Sequence, residues 1–292
     1  MTFPIDRIPD IKEHPEHFKL LEVVPLTTFA PNHFPIVLAP EQGNEVTIVI
    51  VDVETTGFDV GTSDVIELGL TEIRVQPDTG LIQAVRRTGS HYIDPGYPIP
   101  EVITEITGIT NAMVHGQTIE NEVFADWFAG DPIVMAHNAK FDRSFMHKIL
   151  PASYHQLRWV CSMSEAQWIT LGYEGNKLEY LNLKCGYFYE GHRASIDCLA
   201  TAWLLHLNPD AMMNILEAER AEQYLVKAIY APYQVKDTLK ERGYRWDAEN
   251  KVWHTTIDAA LLGEEKAFLA MTYPQGDQKA SITRQDSRNR FL

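Results

Sequence analysis

The chain changes texture at Val46. Before it, apolar residues are scattered between prolines; after it, they fall into runs with a recognisable period. Residues 47–51 are a β-branched apolar run bounded by polar residues, the pattern of a buried strand. Val65–Val75 alternates in part and predicts a second strand, and 81–93 a third. The stretches between them carry Gly57 and Gly61, then Pro77, Asp78, Thr79 and Gly80, which read as turns. Three strands joined by short turns make a meander. Helical periods follow. Pro100 and Glu101 open a short helix that Gly108 ends, and Thr118 with Asn121 and Glu122 predicts a capped helix running to Phe128. Ile133–Ala136 is another buried strand, and 139–150 a helix stopped by Pro151. Helices are expected over 162–171 and 178–185, and over Ala194–Leu207 with its apolar face on Ile196, Ala200, Trp203, Leu204 and Leu207.

The flanks differ from this centre. Prolines at 4, 9, 15, 25, 31, 35 and 40 exclude long helices and central strands from residues 1–45. Phe18, Leu20, Val24, Phe34 and Ile36 give that arm enough apolar surface to dock on the domain behind it. Residues 208–227 read as a helical connector, and 228–273 as a small α+β module with a strand–turn–strand at 244–257. Residues 274–292 are polar and read as a flexible tail.

Composition narrows the class. With 45% hydrophobic and 22% charged residues, 292 residues are enough for a large domain and a small one. The net charge of −15 argues against nucleic-acid binding through a broad basic surface. It leaves open an enzyme whose carboxylates hold divalent ions that reverse the local sign. Cys161, Cys185 and Cys198 form no C-x-x-C pair and read as reduced thiols rather than a disulfide framework or zinc site. No run approaches the roughly 18 apolar residues of a membrane span, and Met1 to Lys19 lacks the basic-then-apolar order of a secretory signal. A cytoplasmic location is expected.

Candidate chemistry lies at three places. Strand 47–51 runs into Asp52-Val53-Glu54-Thr55-Thr56-Gly57. Strand side chains alternate, so Asp52 and Glu54 share a face. Two acids at the end of a core strand are costly unless a cation joins them, and an all-oxygen set suits Mg²⁺ or Mn²⁺. His137-Asn138-Ala139-Lys140-Phe141-Asp142 stands where a strand passes into a helix, with Asn138 at the cap and Asp142 one turn in. His192-Arg193-Ala194-Ser195-Ile196-Asp197 opens the long helix. Each has a bland reading: solvated strand-end acids, a carboxylate complementing a helix dipole, a first-turn charge.

Taken in order, D-x-E, N-x-x-F-D and H-x-x-x-x-D resemble the DEDDh branch of the DnaQ-like exonucleases, which includes the proofreading subunit of the bacterial replicative polymerase. The Thr55-Thr56-Gly57 and Ile106-Thr107-Gly108-Ile109-Thr110 segments agree with it, and the resemblance covers residues 46–207. It implies an α/β, RNase H-like fold with a mixed five-stranded sheet flanked by helices. It implies two divalent ions, held by Asp52, Glu54 and Asp197 at one position and by Asp52 with Asp142 in support at the other. His192 is then the general base, and its presence instead of tyrosine selects the histidine branch. Thr55, Thr56, Gly57 and Phe58 are expected to line the terminal-nucleotide pocket, Ile109 to pack on the terminal base, and Asn138 and Phe141 to approach the strand.

The expected activity is release of nucleoside 5′-monophosphates from the 3′ end of DNA, single strands preferred, in DNA repair or alongside a polymerase or other DNA-processing protein. An exoribonuclease of the same superfamily is the alternative, and a non-catalytic nucleic-acid-binding scaffold the third reading. In the C-terminal module, Tyr233, Tyr244, Trp246 and Trp253 interleave with Lys236, Lys240, Arg242, Arg245 and Lys251. That mixture suits a stacking-and-phosphate surface for single strands, or simply the core of a very small domain.

Overall fold

The computed structural model describes residues 5–291. Its strands are β1 (Glu22–Val23), β2 (Ile36–Val37), β3 (Val46–Thr55), β4 (Val65–Val75), β5 (Ile82–Tyr92), β6 (Ile133–Ala136), β7 (Arg158–Cys161), β8 (Tyr187–Phe188), β9 (Gln223–Ala228), β10 (Arg245–Asp247), β11 (Val252–Asp258) and β12 (Ser281–Gln285). The helices are α1 (Ile8–Glu13), α2 (Glu101–Thr107), α3 (Asn111–Val114), α4 (Asn121–Trp127), α5 (Ala139–Ile149), α6 (Leu178–Lys184), α7 (Ala194–Leu207), α8 (Pro209–Arg220), α9 (Lys236–Glu241), α10 (Leu262–Thr272) and α11 (Gly276–Lys279). The chain divides into two compact units, with the boundary at Leu216/Glu217 and the second unit ending at Arg290.

The first unit is built on a six-stranded mixed sheet in the order β2-β5-β4-β3-β6-β7. The antiparallel meander β3–β4–β5 is as expected, and β6 and β7 add in parallel on the other side of β3. The expected five strands become six because the proline-rich arm contributes edge strand β2, antiparallel to β5. An edge is where a proline-flanked strand can sit, since only one side of its backbone must pair. The arm docks a second time through β1, parallel to β8, and sinks Val24 and Leu26 completely into the core under α7.

Two apolar layers sandwich β3. Ile48 and Ile50 face α7, while Val49, Val51 and Val53 face α5. Helix α7 buries Cys198, Leu199, Ala200, Thr201, Ala202, Leu204 and Leu205, which is most of its circumference. The apolar face expected from its sequence is therefore displaced: Ile196 and Trp203 are half-buried and Leu207 exposed. Arm and sheet cover the helix from different sides, so small residues are as deeply buried as large ones.

Three local expectations are corrected. Residues 162–171 form turns, not a helix: Gln167 has φ of 57°, and the Ser162 carbonyl is taken by Trp168 Nε1 at 2.7 Å. The helix after Thr118 begins at Asn121, with Glu120 at its N-cap and no side-chain cap bond. Strand β7 lies in a stretch for which no element was expected.

The second unit is a four-stranded antiparallel sheet, order β10-β11-β9-β12, with α9 and α10 contributing Leu239 and Leu269 to its core. Residues 223–227 of the expected connector, with Ala228, form the inner strand β9, and residues 281–285 of the expected flexible tail are β12, paired with β9. Residues 281–285 are mostly polar, and such a stretch gives little strand signal until a partner is known. Tyr244 is buried in this core and hydrogen-bonds Glu265, whereas Trp246 is half exposed and Tyr233 mostly exposed. No helix among the described residues is long and apolar enough to cross a membrane.

Candidate active site

The site gathers at the end of β3. Asp52 and Glu54 continue the face of Ile48 and Ile50, so they point toward α7. Helix α7 brings Asp197 from its first turn. One carboxylate oxygen each from Asp52, Glu54 and Asp197 lies within 4.8 Å of the others. Asp142 arrives on α5 from the opposite layer, and its Oδ1 accepts the Val53 amide at 3.3 Å. A cavity of about 310 Å³ opens over this cluster, lined among others by His137, Asn138, Phe141, Phe58 and His192. All five residues expected to carry the chemistry line one cavity.

Burial and mutual repulsion hold these carboxylates above their usual range. Burial, then the Asp197, Asp142 and Glu54 charges, raise Asp52 well above the usual carboxylate range. Burial, followed by Asp197 and Glu67, pushes Glu54 up to about 8. Burial raises Asp142 to about 7 against backbone hydrogen bonds that lower it, and Asp197 to about 6. No lysine or arginine is among the described residues lining the cavity. Like-charged, desolvated carboxylates resist ionisation until a positive ion joins them, and this all-oxygen donor set fits a hard divalent ion.

His192 is exposed on the cavity rim with φ of 65°. A left-handed backbone at a non-glycine residue costs on the order of 1–3 kcal/mol and persists where its surroundings over-determine it. The next residue supplies that constraint: the Arg193 amide donates to Asp197 Oδ2 at 3.1 Å, folding the segment back onto the helix turn.

Other expected residues sort differently. Phe58 is 87% exposed at the cavity, 6.4 Å from the Phe141 ring. Asn138 stands at the N-cap of α5 but makes no side-chain cap bond, which leaves its amide on the cavity. The Thr55 and Thr56 side chains are turned to the loop itself: Thr55 Oγ1 donates to the Gly57 carbonyl, and Thr56 Oγ1 bonds the Tyr97 hydroxyl at 2.8 Å. Neither threonine nor Gly57 lines the cavity. Ile109 is not brought to the site at all. It is fully buried with Ile66, Ile99 and Val114 in a separate cluster, because the loop after Gly108 turns inward.

Three neighbours were not anticipated. His137 lines the cavity with both ring nitrogens occupied, by Ser162 Oγ at 2.9 Å and the Asn176 carbonyl at 2.8 Å, and burial lowers its pKa to about 4. Tyr189 donates its hydroxyl to Asp197. Glu67 is fully buried on β4 beside Glu54. The one available signal for Glu67 was a lone acid inside the apolar run 65–70.

The family model described as exonuclease matches residues 49–205. DNA polymerase III subunit epsilon of Aquifex aeolicus is 34% identical over 163 residues, which is 53% of this chain and 77% of that one. The PolC-type DNA polymerase III of Clostridium perfringens is 32% identical over 182 residues, 60% of this chain but 12% of that one. Among solved structures, Exonuclease X in complex with 5′ overhanging duplex DNA is 26% identical over 58% of this chain and 99% of that chain, with a TM-score of 0.41. A full-length 3′-exonuclease is 16% identical over 56% of this chain and 60% of that chain, with a TM-score of 0.44. With more than half of its length matched by that model, and the acidic cluster inside the matched region, the chain belongs to the exonuclease family.

Proposed function

We propose that the protein removes nucleotides one at a time from the 3′ end of DNA, single strands preferred, with Mg²⁺ or Mn²⁺ as cofactor. The observation that carries this reading is the convergence of Asp52, Glu54, Asp142 and Asp197 with His192 on one cavity. Asp52, Glu54 and Asp197 would hold one ion, and Asp142 would support a second with Asp52. Two such ions, when bound, offset the carboxylate charge and stabilise the attacking and leaving oxygens of an in-line displacement at phosphorus. His192 accepts a proton from the attacking water, the part of a general base whose imidazole faces the cavity. The water oxygen bonds phosphorus, the bond to the 3′ oxygen breaks, and that oxygen takes up a proton. A nucleoside 5′-monophosphate leaves. Phe58 and Phe141 supply apolar contact for the terminal base, and Asn138 a hydrogen bond to the strand. The DNA polymerase III relatives favour DNA over RNA and a polymerase or another DNA-processing protein as partner.

The test is 5′-labelled single-stranded DNA and RNA of one sequence, each with Mg²⁺, Mn²⁺ or EDTA. Stepwise shortening of DNA with metal, abolished by EDTA and by Asp52→Ala, is expected. If neither strand shortens, the activity is wrong; if RNA shortens as fast as DNA, the substrate is wrong.

The second unit is proposed to hold the single strand through Trp246, Tyr233 and the exposed Arg245 and Lys251. Its formal charge is near zero, against −15 for the whole chain, so it repels a polyanion less than the rest does. Arg242 and Tyr244 leave the expected binding set because both are engaged with Glu265. Trp246→Ala together with Arg245→Ala should weaken single-strand binding several-fold in a salt-dependent way. Unchanged binding removes this role.

A further inference from the structure

Glu67 has no part in the chemistry above, yet it is the most enclosed carboxylate next to it. It stands on β4 directly opposite Glu54 on β3 and opposite Tyr92 on β5, so all three side chains share the α7-facing side of the sheet. Its relative exposure is 0%. Its two oxygens accept from four donors: Arg193 Nε at 3.2 Å, the second Arg193 nitrogen at 3.2 Å, the Ala194 amide at 3.2 Å and Ser90 Oγ at 2.5 Å. Arg193 also donates to the Tyr92 hydroxyl and lies over the Tyr92 ring, 5.6 Å from its centroid. The planar guanidinium is thus fixed by a fork onto one carboxylate and by an aromatic hydroxyl, a geometry that lysine cannot reproduce.

These contacts grip the residues on either side of a strained position. Arg193 follows His192, the residue with a left-handed backbone, and Ala194 is the first residue of α7. From the strand next to Asp52 and Glu54, the sheet therefore holds the turn that presents the proposed base. We infer that Glu67 and Arg193 are positioning residues that lock His192 in its left-handed conformation, and so set where its imidazole stands over the cavity. The inference rests on the reading of His192 as general base given above. It predicts that the pair acts on turnover through His192 and has little effect on strand binding, because neither residue lines the cavity.

Two measurements test it. The first is a double-mutant cycle of Arg193→Gln with His192→Ala on labelled single-stranded DNA. Arg193→Gln should lower kcat ten-fold or more with KM within about three-fold, Arg193→Lys should recover only part of the loss, and Arg193→Gln should cost nothing further in the His192→Ala protein. Equal losses in both backgrounds overturn the inference. The second needs no turnover: amide hydrogen exchange of the whole chain. Arg193→Gln should speed exchange of the Arg193 and Ala194 amides at least ten-fold and leave β3 and β6 unchanged. Unaltered exchange at those two amides overturns the inference, whether or not the protein proves to be an exonuclease. Glu67→Gln is the companion variant; where it does not fold, Arg193→Gln carries the test, since that side chain is 38% exposed.

Discussion

Gly69 is where α7 comes closest to the sheet. A β-carbon built on Gly69 stands 2.2 Å from the Ala194 carbonyl carbon, 2.4 Å from its oxygen and 2.4 Å from the Ser195 nitrogen. All three are backbone atoms, so no rotamer change relieves the overlap. Ordinary contact begins at 3.4 Å, so Gly69→Ala has to push the first turn of α7 outward by about 1 Å, a displacement that costs roughly 100-fold when it falls on catalytic groups. That turn carries Asp197 and begins two residues after His192. Overpacking costs about 1–3 kcal/mol, and replacing a strand glycine returns about 0.5–1 kcal/mol of it. The net loss is thus roughly 0–2.5 kcal/mol, a fall in Tm of at most several degrees that leaves the fold intact. The assay is kcat on 5′-labelled single-stranded DNA with Mg²⁺, beside thermal unfolding of the same preparation. A folded variant with about 1% of the activity is expected. Full kcat would refute the reasoning, because the turn would then be free to move without moving the site.

Without metal, the raised carboxylates link stability to pH. Their folded values lie above their unfolded ones, so as pH rises the unfolded chain ionises first and the folded state loses stability between about 4 and 8. In EDTA the Tm should be higher at pH 5.5 than at pH 8.5, and Mg²⁺ or Mn²⁺ should raise it most at pH 8.5; a Tm that rises with pH in EDTA contradicts this. Phe58→Ala should leave Tm unchanged, because the side chain is 87% exposed, and should raise KM about ten-fold through lost base stacking; an unchanged KM removes Phe58 from the substrate site. Leu26→Ala should cost about 2–5 kcal/mol in chemical unfolding, since this arm residue is buried under α7; a loss below 1 kcal/mol means the arm is not part of the core.

Much of the site was legible along the chain. Alternation along β3 placed Asp52 and Glu54 on one face, and the bounds of α7 and the start of α5 were readable from apolar period and flanking residues, which put His192, Asp197 and Asp142 at element ends. These are local properties, set by side-chain period and backbone preference within a few residues. The rest depends on partners distant in sequence. Ile109 looked like a pocket residue and is buried because Ile66 and Ile99 close over it. The mostly polar residues 281–285 became a strand because β9 offered its edge, and residues 36–37 of the arm became one because β5 did. The turn of α7 rests on β4 because position 69 has no side chain, and Glu67 meets Arg193 across 126 residues because that contact fixes the register of helix on sheet. Close approach and pairing between remote segments leave no period in the sequence. They therefore appear only when the chain is folded.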